Sequence, residues 1–272
     1  ASILPDLTLE EALELTKIYS IAGELPADTA VIKHRPFRSP HHTASGVALI
    51  GGGAWPRPGE ISLAHRGVLF LDEFGEFPRQ VLENLRQPLE DGIIHVSRAA
   101  GNLKFPAKFI LIAAMNPCPC GFLGDEEKHC LCSPSQIMGY KKRISGPILD
   151  RIDIHIEVPR VKFEKLTAPA TGENSNQIKE RVQQARKIQL ERFKNSKILA
   201  NAEMTSEMTK NFCELDAASS GLMRGAMNQL HLSTRGYFRI LKLARTIADL
   251  NKEEKILTAH IAEALQYRPK VE

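Results

Sequence analysis

Two adjacent carboxylates follow a short apolar run in this chain. Asp72 and Glu73 come directly after Val68-Leu69-Phe70-Leu71, and an uninterrupted apolar run of this length is typical of a buried strand in a parallel sheet. Ligands of such sheets collect at the carboxyl ends of the strands. One carboxylate there can bind a hydrated magnesium ion while the other polarises a water molecule. The pair therefore predicts the acidic half of a nucleotide-hydrolysis site, and the alternative is a strand end whose acids cap the next helix.

Four cysteines form a second group of residues that could do chemistry. Cys118 and Cys120 make one C-x-C pair, and Cys130 and Cys132 make another. Four thiolates in one loop are enough for a closed tetrahedral zinc site, which has no open position, so the metal would be structural. His129 could replace one ligand. Both spacings are shorter than the usual C-x-x-C, so the alternative is unligated or redox-active thiols.

The composition sets wide bounds on the class of protein. At 272 residues the chain is long enough for one α/β domain and a smaller second one. No apolar run is long enough to cross a bilayer, and the first residues lack a signal-peptide pattern, so we expect a cytoplasmic protein without a membrane partner. The net charge of +4 permits an anionic partner without demanding one.

The elements that would position these residues follow from apolar spacing. An opening helix is predicted over residues 5–21, where Thr8 and Glu11 are spaced as a capping box. Residues 31–58 carry glycines, prolines and polar side chains and predict a long irregular insertion. A further helix is predicted from Pro78 until Gly92 ends it.

Further strands are predicted downstream of that helix. Residues 93–105 read as a β-hairpin around a glycine-containing turn. Residues 109–115 predict a second buried strand that ends at Asn116, and residues 152–158 predict a third short strand. We therefore expect at least three strands to contribute to the α/β part of the chain.

The composition changes after the last predicted strand. Residues 167–176 are polar and contain glycine and proline, which predicts a linker. Beyond it the apolar spacing is helical throughout. We therefore place a domain boundary near residue 170, with an α/β part over 1–170 and a helical part over 171–272.

Several segments together resemble the motifs of one protein family. They are Arg35-Pro36-Phe37-Arg38-Ser39-Pro40-His41-His42, residues 51–63, residues 68–73, residues 113–121, residues 145–153, Ser233-Thr234-Arg235 and residues 243–250. On these segments, which cover nearly the whole chain in the family's order, the chain resembles the magnesium-chelatase-like AAA+ ATPases of the ComM/YifB type. These ATPases are related to the chelatase motor subunits and to the MCM helicases. The resemblance implies a P-loop-type three-layer α/β core with inserted hairpins and a C-terminal all-helical lid domain.

The resemblance also implies a role for each candidate site residue, with ATP and Mg²⁺ as cofactors. Asp72 would hold magnesium through its water shell, and Glu73 would orient the attacking water. Asn116 would be sensor 1, which donates a hydrogen bond toward the γ-phosphate or that water. Arg151 would be an arginine finger that reaches the nucleotide of a neighbouring subunit, and Arg235 would be sensor 2. For each arginine the alternative is a surface salt bridge.

One motif of the family does not occur in the chain. There is no G-x-x-x-x-G-K-[ST] sequence, the loop whose backbone and lysine bind the β- and γ-phosphates. In the family this loop lies just upstream of the segment that resembles residues 2–5. We therefore expect a partial core that lacks the P-loop strand and the family's N-terminal Lon-protease-like domain, and that hydrolyses essentially no ATP alone. A degenerate ATPase is the alternative.

Contacts to nucleic acid are implied by the helicase relatives, in which two hairpins project into the channel of a hexamer. The corresponding basic residues here are Arg57, Arg98 and Lys104, which could follow a phosphate backbone without reading bases. Arg98 and Lys104 could equally be solvated hairpin charges. Trp55 and Phe105 are the only aromatic candidates for base stacking in these regions.

Three functions follow from these interpretations. The resemblance favours a homo-oligomeric, ATP-driven ring motor that acts on DNA, with branch migration in recombination or natural transformation as its activity. The first alternative is the motor subunit of a metal chelatase, which remodels a partner during metal insertion into a porphyrin. The second is a non-enzymatic, zinc-stabilised oligomerisation module. The cysteine cluster favours the first of the three over the chelatase subunit.

Overall fold

The structure, a computed structural model, covers most of the chain in two compact units. It describes residues 2–53, 56–98, 101–125, 127–161 and 172–269, with only the backbone of residues 97, 98 and 101. One unit holds residues 6–152, and the other holds residues 2–5 and the described residues from 153 onward. Each unit has its own apolar core.

The first helix, α1, spans Leu9–Ala22 and begins with the predicted capping box. The Thr8 hydroxyl accepts a hydrogen bond from the backbone N–H of Glu11 at 3.2 Å, and the Glu11 carboxylate accepts one from the Thr8 N–H at 3.0 Å. These bonds satisfy N–H groups that the first helical turn leaves without partners, so the helix begins at Leu9 and not at residue 5. Glu11 also pairs with Arg35 at 3.0 Å.

A three-stranded parallel sheet lies at the centre of the first unit. Its strands are β1 (Phe37–Arg38), β4 (Val68–Leu71) and β7 (Ile110–Ala113), in the order β1-β4-β7. β4 lies between the other two, with Val68 opposite both Phe37 and Ile110. The predicted strand at 68–71 is confirmed, and so is a strand within 109–115, with shorter bounds. The predicted burial of this second strand is wrong, because it lies at the edge of the described sheet. On β7 the side chains of Ile110 and Ile112 are exposed.

Two antiparallel hairpins accompany the sheet. β2 (Gly51–Gly52) pairs with β3 (Arg57–Pro58), and β5 (Ile93–Arg98) pairs with β6 (Gly101–Pro106). The predicted hairpin over residues 93–105 is therefore confirmed. The prediction that residues 31–58 form an irregular insertion is wrong in part, because β1 of the central sheet and the first hairpin lie within them. Residues 54 and 55 near the turn of that hairpin, including Trp55, lie outside the described residues.

Short helices complete the first unit, and one prediction about them is wrong. They are α2 (Gly46–Ile50), α3 (Glu60–Leu63), a 3-10 turn (Phe74–Glu76), α4 (Arg79–Glu83), α5 (Arg86–Asp91), α6 (Pro134–Lys141) and α7 (Gly146–Leu149). The predicted single helix from Pro78 to Gly92 is thus divided into α4 and α5. Pro88 explains the break, because it has no N–H to donate to the carbonyl of Asn84. Gly92, with φ of 66°, ends α5 as predicted.

The second unit is helical, as predicted. Its helices are α8 (Ser175–Arg192), α9 (Ser206–Phe212), α10 (Ala217–Gln229), α11 (Thr234–Leu250) and α12 (Thr258–Gln266), with a 3-10 turn at Asn201–Glu203. The carboxylate of Asp249 is buried and binds Arg192 at 2.5 Å, Arg245 at 3.1 Å and the amide of Asn201 at 2.7 Å. Loss of one partner of such a buried ion pair is strongly destabilising. The described helices include none long and apolar enough to span a bilayer.

The predicted strand over residues 152–158 is wrong. The structure gives this segment no strand, and the backbone N–H of His155 instead donates to the carbonyl of Tyr267 at 2.8 Å. An apolar alternation forms a strand only where a second strand supplies the ladder of hydrogen bonds. Half of the predicted linker, residues 167–171, lies outside the described residues, and its last two residues belong to helix α8. The boundary near residue 170 stays a prediction. The α/β class with a parallel sheet and a C-terminal helical region is confirmed.

The close approach of β1 to β4 requires a glycine at position 67. A Cβ atom there would lie 2.1 Å from the carbonyl oxygen of Pro36 and 2.7 Å from its ring, while the same carbonyl accepts the N–H of Val68 at 2.9 Å. We expect Gly67→Ala to lower the free energy of unfolding by about 1–3 kcal/mol because it overpacks this contact. Chemical denaturation measures the change.

Gly139 provides the matched control for this substitution. It lies inside α6, it is exposed, and a Cβ atom there meets nothing within 4 Å. Gly139→Ala should therefore leave stability unchanged or raise it by up to about 1 kcal/mol through helix propensity. Equal stability of the two variants would contradict the role given to Gly67.

Candidate active site and metal centre

The two acids lie at the carboxyl end of the central strand, as predicted. Asp72 and Glu73 are both exposed and directly follow β4. Next to them, the N–H of Phe74 donates to the carbonyl of Ala114 at 2.9 Å. The N–H of Ala114 in turn donates to the carbonyl of Leu71 at 3.0 Å. These bonds tie the turn that holds the acids to the segment that follows β7. The ends of the two strands therefore lie side by side.

The backbone at Glu73 has an unusual conformation. Its φ is 51° and its ψ is 44°, in the left-handed region that residues with side chains seldom adopt. The Asp72 carboxylate accepts the Glu73 N–H at 2.8 Å, and the Glu73 carbonyl accepts the N–H of Glu76 at 2.7 Å. The strained residue is thus held by hydrogen bonds on both sides, which is the usual setting of backbone strain at functional sites.

Asn116 follows the neighbouring strand and reaches the same edge of the sheet. It is exposed, and its side chain lies beside Gly121, where a Cβ atom would be 3.8 Å from the amide carbon. Carboxylate and amide groups exposed to solvent at this edge suit a hydrated magnesium ion and a bound phosphate, because magnesium keeps most of its water ligands. The carboxylates of Asp72 and Glu73 and the amide of Asn116 therefore fit Mg²⁺ and ATP, the cofactors that the sequence predicts.

A histidine that the site prediction missed contacts the second acid. The Nδ1 atom of His42 lies 2.8 Å from a carboxylate oxygen of Glu73. Its ring is tilted by 35° against that of His41 at 4.1 Å between centroids, and it makes a T-shaped contact with the ring of Phe77 at 6.4 Å. His42 follows β1 closely. The rule that polar groups after parallel strands share one edge could not indicate this residue, because the sequence predicted no strand before it.

The four predicted cysteines are brought together in space. Their sulfur atoms all lie within 4.8 Å of one another, with Cys118 3.4 Å from Cys120 and 3.6 Å from Cys130. Four thiolates around one zinc at its usual bond length would be about 3.8 Å apart. Among the described residues the group consists of cysteines alone, so His129 is not part of it. The donor set and its spacing fit a closed zinc site.

The thiols of the group differ in acidity. The backbone N–H of Phe122 stabilises the thiolate of Cys120, and the pKa of Cys120 is lowered to about 6. The N–H of Cys132 also favours the thiolate of Cys130, but desolvation and the neighbouring sulfurs outweigh it and raise the pKa of Cys130 to about 12. Ionisation of one thiol therefore opposes ionisation of the next. A dication at the centre would remove that penalty.

The helix that follows the cysteine loop contacts the turn after the acids. The Tyr140 hydroxyl packs so closely on Gly75 that a Cβ atom there would lie 2.9 Å from it. Arg143 donates to the Gly75 carbonyl at 3.2 Å and pairs with Glu76 at 2.7 Å, and its guanidinium lies 5.5 Å from the ring centre of Tyr140. The cysteine loop and the acid turn are therefore mechanically connected within one unit.

The two arginines with implied roles in nucleotide contact lie in different units. Arg151 is nearly buried, pairs with Glu90 and donates to the carbonyl of Pro147 at 2.7 Å. In this structure its guanidinium is thus engaged within its own subunit. Arg235 is exposed in the first turn of α11, as the resemblance implies for a residue at the start of a lid helix.

The structure describes the side chains of two of the three basic hairpin residues. Arg57 on β3 and Lys104 on β6 are exposed, and the side chain of Arg98 lies outside the described part of the chain. Gly51 of the first hairpin and His95 of the second line one cleft, so the hairpins are neighbours. Phe105 was a stacking candidate, and that prediction is wrong, because its ring is 5% exposed and belongs to the apolar core.

The fold and the site define an AAA+-like α/β protein with a C-terminal helical region. The chain belongs to the magnesium chelatase family. The family model for magnesium chelatase, subunit ChlI, matches residues 1–166, and the model for the ChlI C-terminal region matches residues 172–268.

Curated relatives match nearly the whole chain. It is 49% identical over 271 residues to Competence protein ComM of Haemophilus influenzae. This match covers 99% of this chain and 52% of that protein. It is 45% identical over 269 residues to Uncharacterized protein YifB of Escherichia coli, with coverage of 98% and 51%, and 44% identical to YifB of Salmonella typhimurium, with coverage of 98% and 52%. The predicted resemblance to the ComM/YifB type is confirmed. The chain spans about half the length of these relatives.

The differences in thiol acidity predict an order of chemical reactivity in the metal-free chain. At pH 7.5 the thiol of Cys120 is mostly ionised, whereas burial raises the pKa of Cys213 to about 11. Because the thiolate is the nucleophile, iodoacetamide should modify Cys120 at least about tenfold faster than Cys213. Peptide mass spectrometry over time measures the two rates. In urea the rates should become equal, and equal rates in the folded chain would contradict the assignment.

Proposed function

We propose that the protein that contains this chain is an AAA+ ATPase of the ComM type that couples ATP hydrolysis to movement of branched DNA. The observation that carries the proposal is the placement of Asp72 and Glu73 after β4 beside the segment that leads from β7 to Asn116. The similarity to ComM over 99% of the chain supports the same class. Branch migration in recombination or natural transformation is the activity that this proposal assigns.

The described residues divide the chemical work at the acid turn. Bound magnesium would supply positive charge to the phosphates. Asp72 would hold that ion, and Glu73 would accept a hydrogen bond from the attacking water and take its proton. Asn116 donates its amide N–H toward the reacting phosphate. All three groups are exposed at one edge of the sheet, which leaves room for a nucleotide.

Assembly into a ring is part of the proposal. AAA+ proteins generally form rings, and we propose a homohexamer in which Arg151 acts on the nucleotide of the adjacent subunit and Arg235 on that of its own. Glu90 holds the Arg151 side chain in the isolated subunit. A phosphate presented by a neighbour would compete with this carboxylate, because a guanidinium binds phosphates as well as carboxylates. Subunit contact would thereby release the arginine.

DNA contact is assigned to the two hairpins. Arg57 and Lys104 are exposed on neighbouring hairpins, so both can face a strand that passes one side of the subunit. Their chemistry suits phosphates and not base edges, and with Phe105 buried no described stacking candidate remains on β5 or β6. Binding should therefore depend strongly on salt and weakly on sequence.

The central test measures ATP hydrolysis in a protein extended to the full length of its relatives. Branched DNA should stimulate turnover. Glu73→Gln should bind ATP normally but lose at least about 100-fold in kcat, since the amide keeps the shape and cannot accept the proton. Asp72→Asn should also weaken magnesium-dependent nucleotide binding.

The controls of this test separate the alternatives. Glu76→Gln changes a nearby acid that pairs with Arg143 and should leave most of the turnover. Normal turnover in Glu73→Gln would contradict the assignment of the base. Hydrolysis that ignores DNA but responds to a porphyrin-chelatase partner would favour the chelatase motor, and absence of hydrolysis in the wild type would favour the oligomerisation module.

We also propose that Cys118, Cys120, Cys130 and Cys132 bind one structural zinc ion. The spacing of their sulfurs supports this, and Cys118 is fully buried. A closed four-thiolate site leaves no ligand position for substrate. Zinc would therefore fix the loop between Asn116 and α6.

The zinc proposal predicts close to one zinc per chain after purification without chelator. Cys120→Ser with Cys130→Ser should remove the metal and lower the melting temperature, while far-ultraviolet circular dichroism of the α/β core changes little. Cys213→Ser, outside the group, should keep the metal. Metal analysis that finds no zinc in anaerobically purified protein, with all four thiols open to alkylation, would contradict the site.

A further inference from the structure

We propose that Arg143 is a positioning residue that fixes the acid turn through the backbone carbonyl of Gly75. The acid turn covers residues 72–77 and begins with the two acids, so the inference rests on the proposed function. Two hydrogen bonds carry it. One guanidinium nitrogen of Arg143 donates to the Gly75 carbonyl at 3.2 Å and to the carboxylate of Glu76 at 2.7 Å.

The Gly75 carbonyl requires a donor from outside the turn. Gly75 is buried, and a buried backbone carbonyl without a hydrogen bond is unfavourable. In a 3-10 turn this carbonyl would accept the N–H of the residue three positions further on. That residue is Pro78, which has no N–H. The guanidinium of Arg143 therefore supplies a hydrogen bond that the sequence of the turn itself cannot make.

The same turn contains the strained residue Glu73. Its φ of 51° lies in the left-handed region, and its carbonyl accepts the N–H of Glu76 at 2.7 Å. Gly75 lies between the two residues that this bond joins. Backbone strain persists only where the surrounding structure over-determines it. Release of the Gly75 carbonyl would let the turn relax and would move the carboxylate of Glu73, and a misplacement of about 1 Å can lower a rate by about 100-fold.

Arg143 is itself held in place by α6. Its backbone N–H donates to the carbonyl of Tyr140 at 3.1 Å, just after the helix ends. Its guanidinium lies 5.5 Å from the centre of the Tyr140 ring, which is buried. The hydroxyl of the same tyrosine packs against Gly75, where a Cβ atom would lie 2.9 Å from it. The donor and the turn are thus both fixed against one side chain.

A plain surface ion pair with Glu76 is the competing explanation. The side chain of Arg143 is 49% exposed and that of Glu76 is 44% exposed, and such pairs contribute little to stability. The two explanations differ in which acceptor matters. Glu76→Ala removes the ion pair and keeps the bond to the carbonyl. Arg143→Met removes both bonds and keeps an apolar stem, whereas Arg143→Lys keeps a charged N–H donor.

The kinetic test uses these three variants in the protein extended to the length of its relatives. Arg143→Met should lower kcat roughly 10- to 100-fold with the affinity for ATP unchanged, because only the position of the acids is lost. Arg143→Lys should recover part of that loss, and Glu76→Ala should stay close to the wild type.

Four kinetic results would overturn the positioning role. They are a normal kcat in Arg143→Met, an equal loss of kcat in Glu76→Ala, a kcat in Arg143→Lys no higher than that in Arg143→Met, and weaker binding of ATP by Arg143→Met. The last result would indicate that the guanidinium contacts the nucleotide directly.

A second measurement needs no nucleotide. Amide hydrogen exchange reports local opening of the backbone. The protection factor of the amide at position 76, which binds the Glu73 carbonyl, should fall at least about threefold in Arg143→Met and stay unchanged in Glu76→Ala. Protection of Leu69 in β4 should stay unchanged in both, because the contact acts on the turn alone. Normal protection at position 76 in Arg143→Met would overturn the proposal.

This proposal and the proposed function fail in different ways. Normal turnover in Glu73→Gln would remove the base itself and with it the proposed function. Loss of turnover in Glu73→Gln together with normal turnover in Arg143→Met would overturn the positioning role alone.

Discussion

The parallel pairing of β4 with its two neighbours is the constraint on which the rest of the first unit depends. β4 is buried between β1 and β7, and each polar residue of the acid site follows one of these three strands. Hydrogen bonds from Phe74 to Ala114 and from Ala114 to Leu71 extend the pairing beyond the strands. A small shift of one strand would therefore move the acids relative to the groups that face them.

The cysteine loop adds a second constraint on the same turn. It begins just after Asn116, and the helix that follows it presses Tyr140 against Gly75. A loop that is restrained at both ends has fewer conformations than an unrestrained loop. It therefore holds the residues next to it more firmly in place. The sulfur group thus affects the acid turn through packing, although none of the cysteines lies within the turn itself.

Local sequence patterns could predict much of this fold. The capping box at Thr8, the apolar strand before Asp72 and the hairpin from residue 93 were predicted because each depends on neighbours in sequence. The cysteine cluster could be predicted for the same reason, since its ligands lie in one short loop.

Features that depend on distant residues could not be predicted in this way. The strand over residues 152–158 failed because alternation says nothing about the presence of a pairing partner. Phe105 lies on a hairpin strand, but only packing decides which face of the strand is buried. The contact of His42 with Glu73 joins residues far apart in sequence, and the strand before His42 lies in a segment that was predicted to be irregular. The break at Pro88, by contrast, could have been predicted from the proline alone.

The exposed side of β7 has a consequence for the behaviour of this chain in solution. Within the described residues β7 pairs only with β4, so its other edge has no strand partner there, and the side chains of Ile110 and Ile112 are exposed on one face of the strand. An apolar edge strand of this kind promotes edge-to-edge association between molecules. The same strand therefore affects both the tendency of the chain to associate at high concentration and the position of Asn116. A charge introduced at position 112 to improve solubility would also act on the strand that leads to the site.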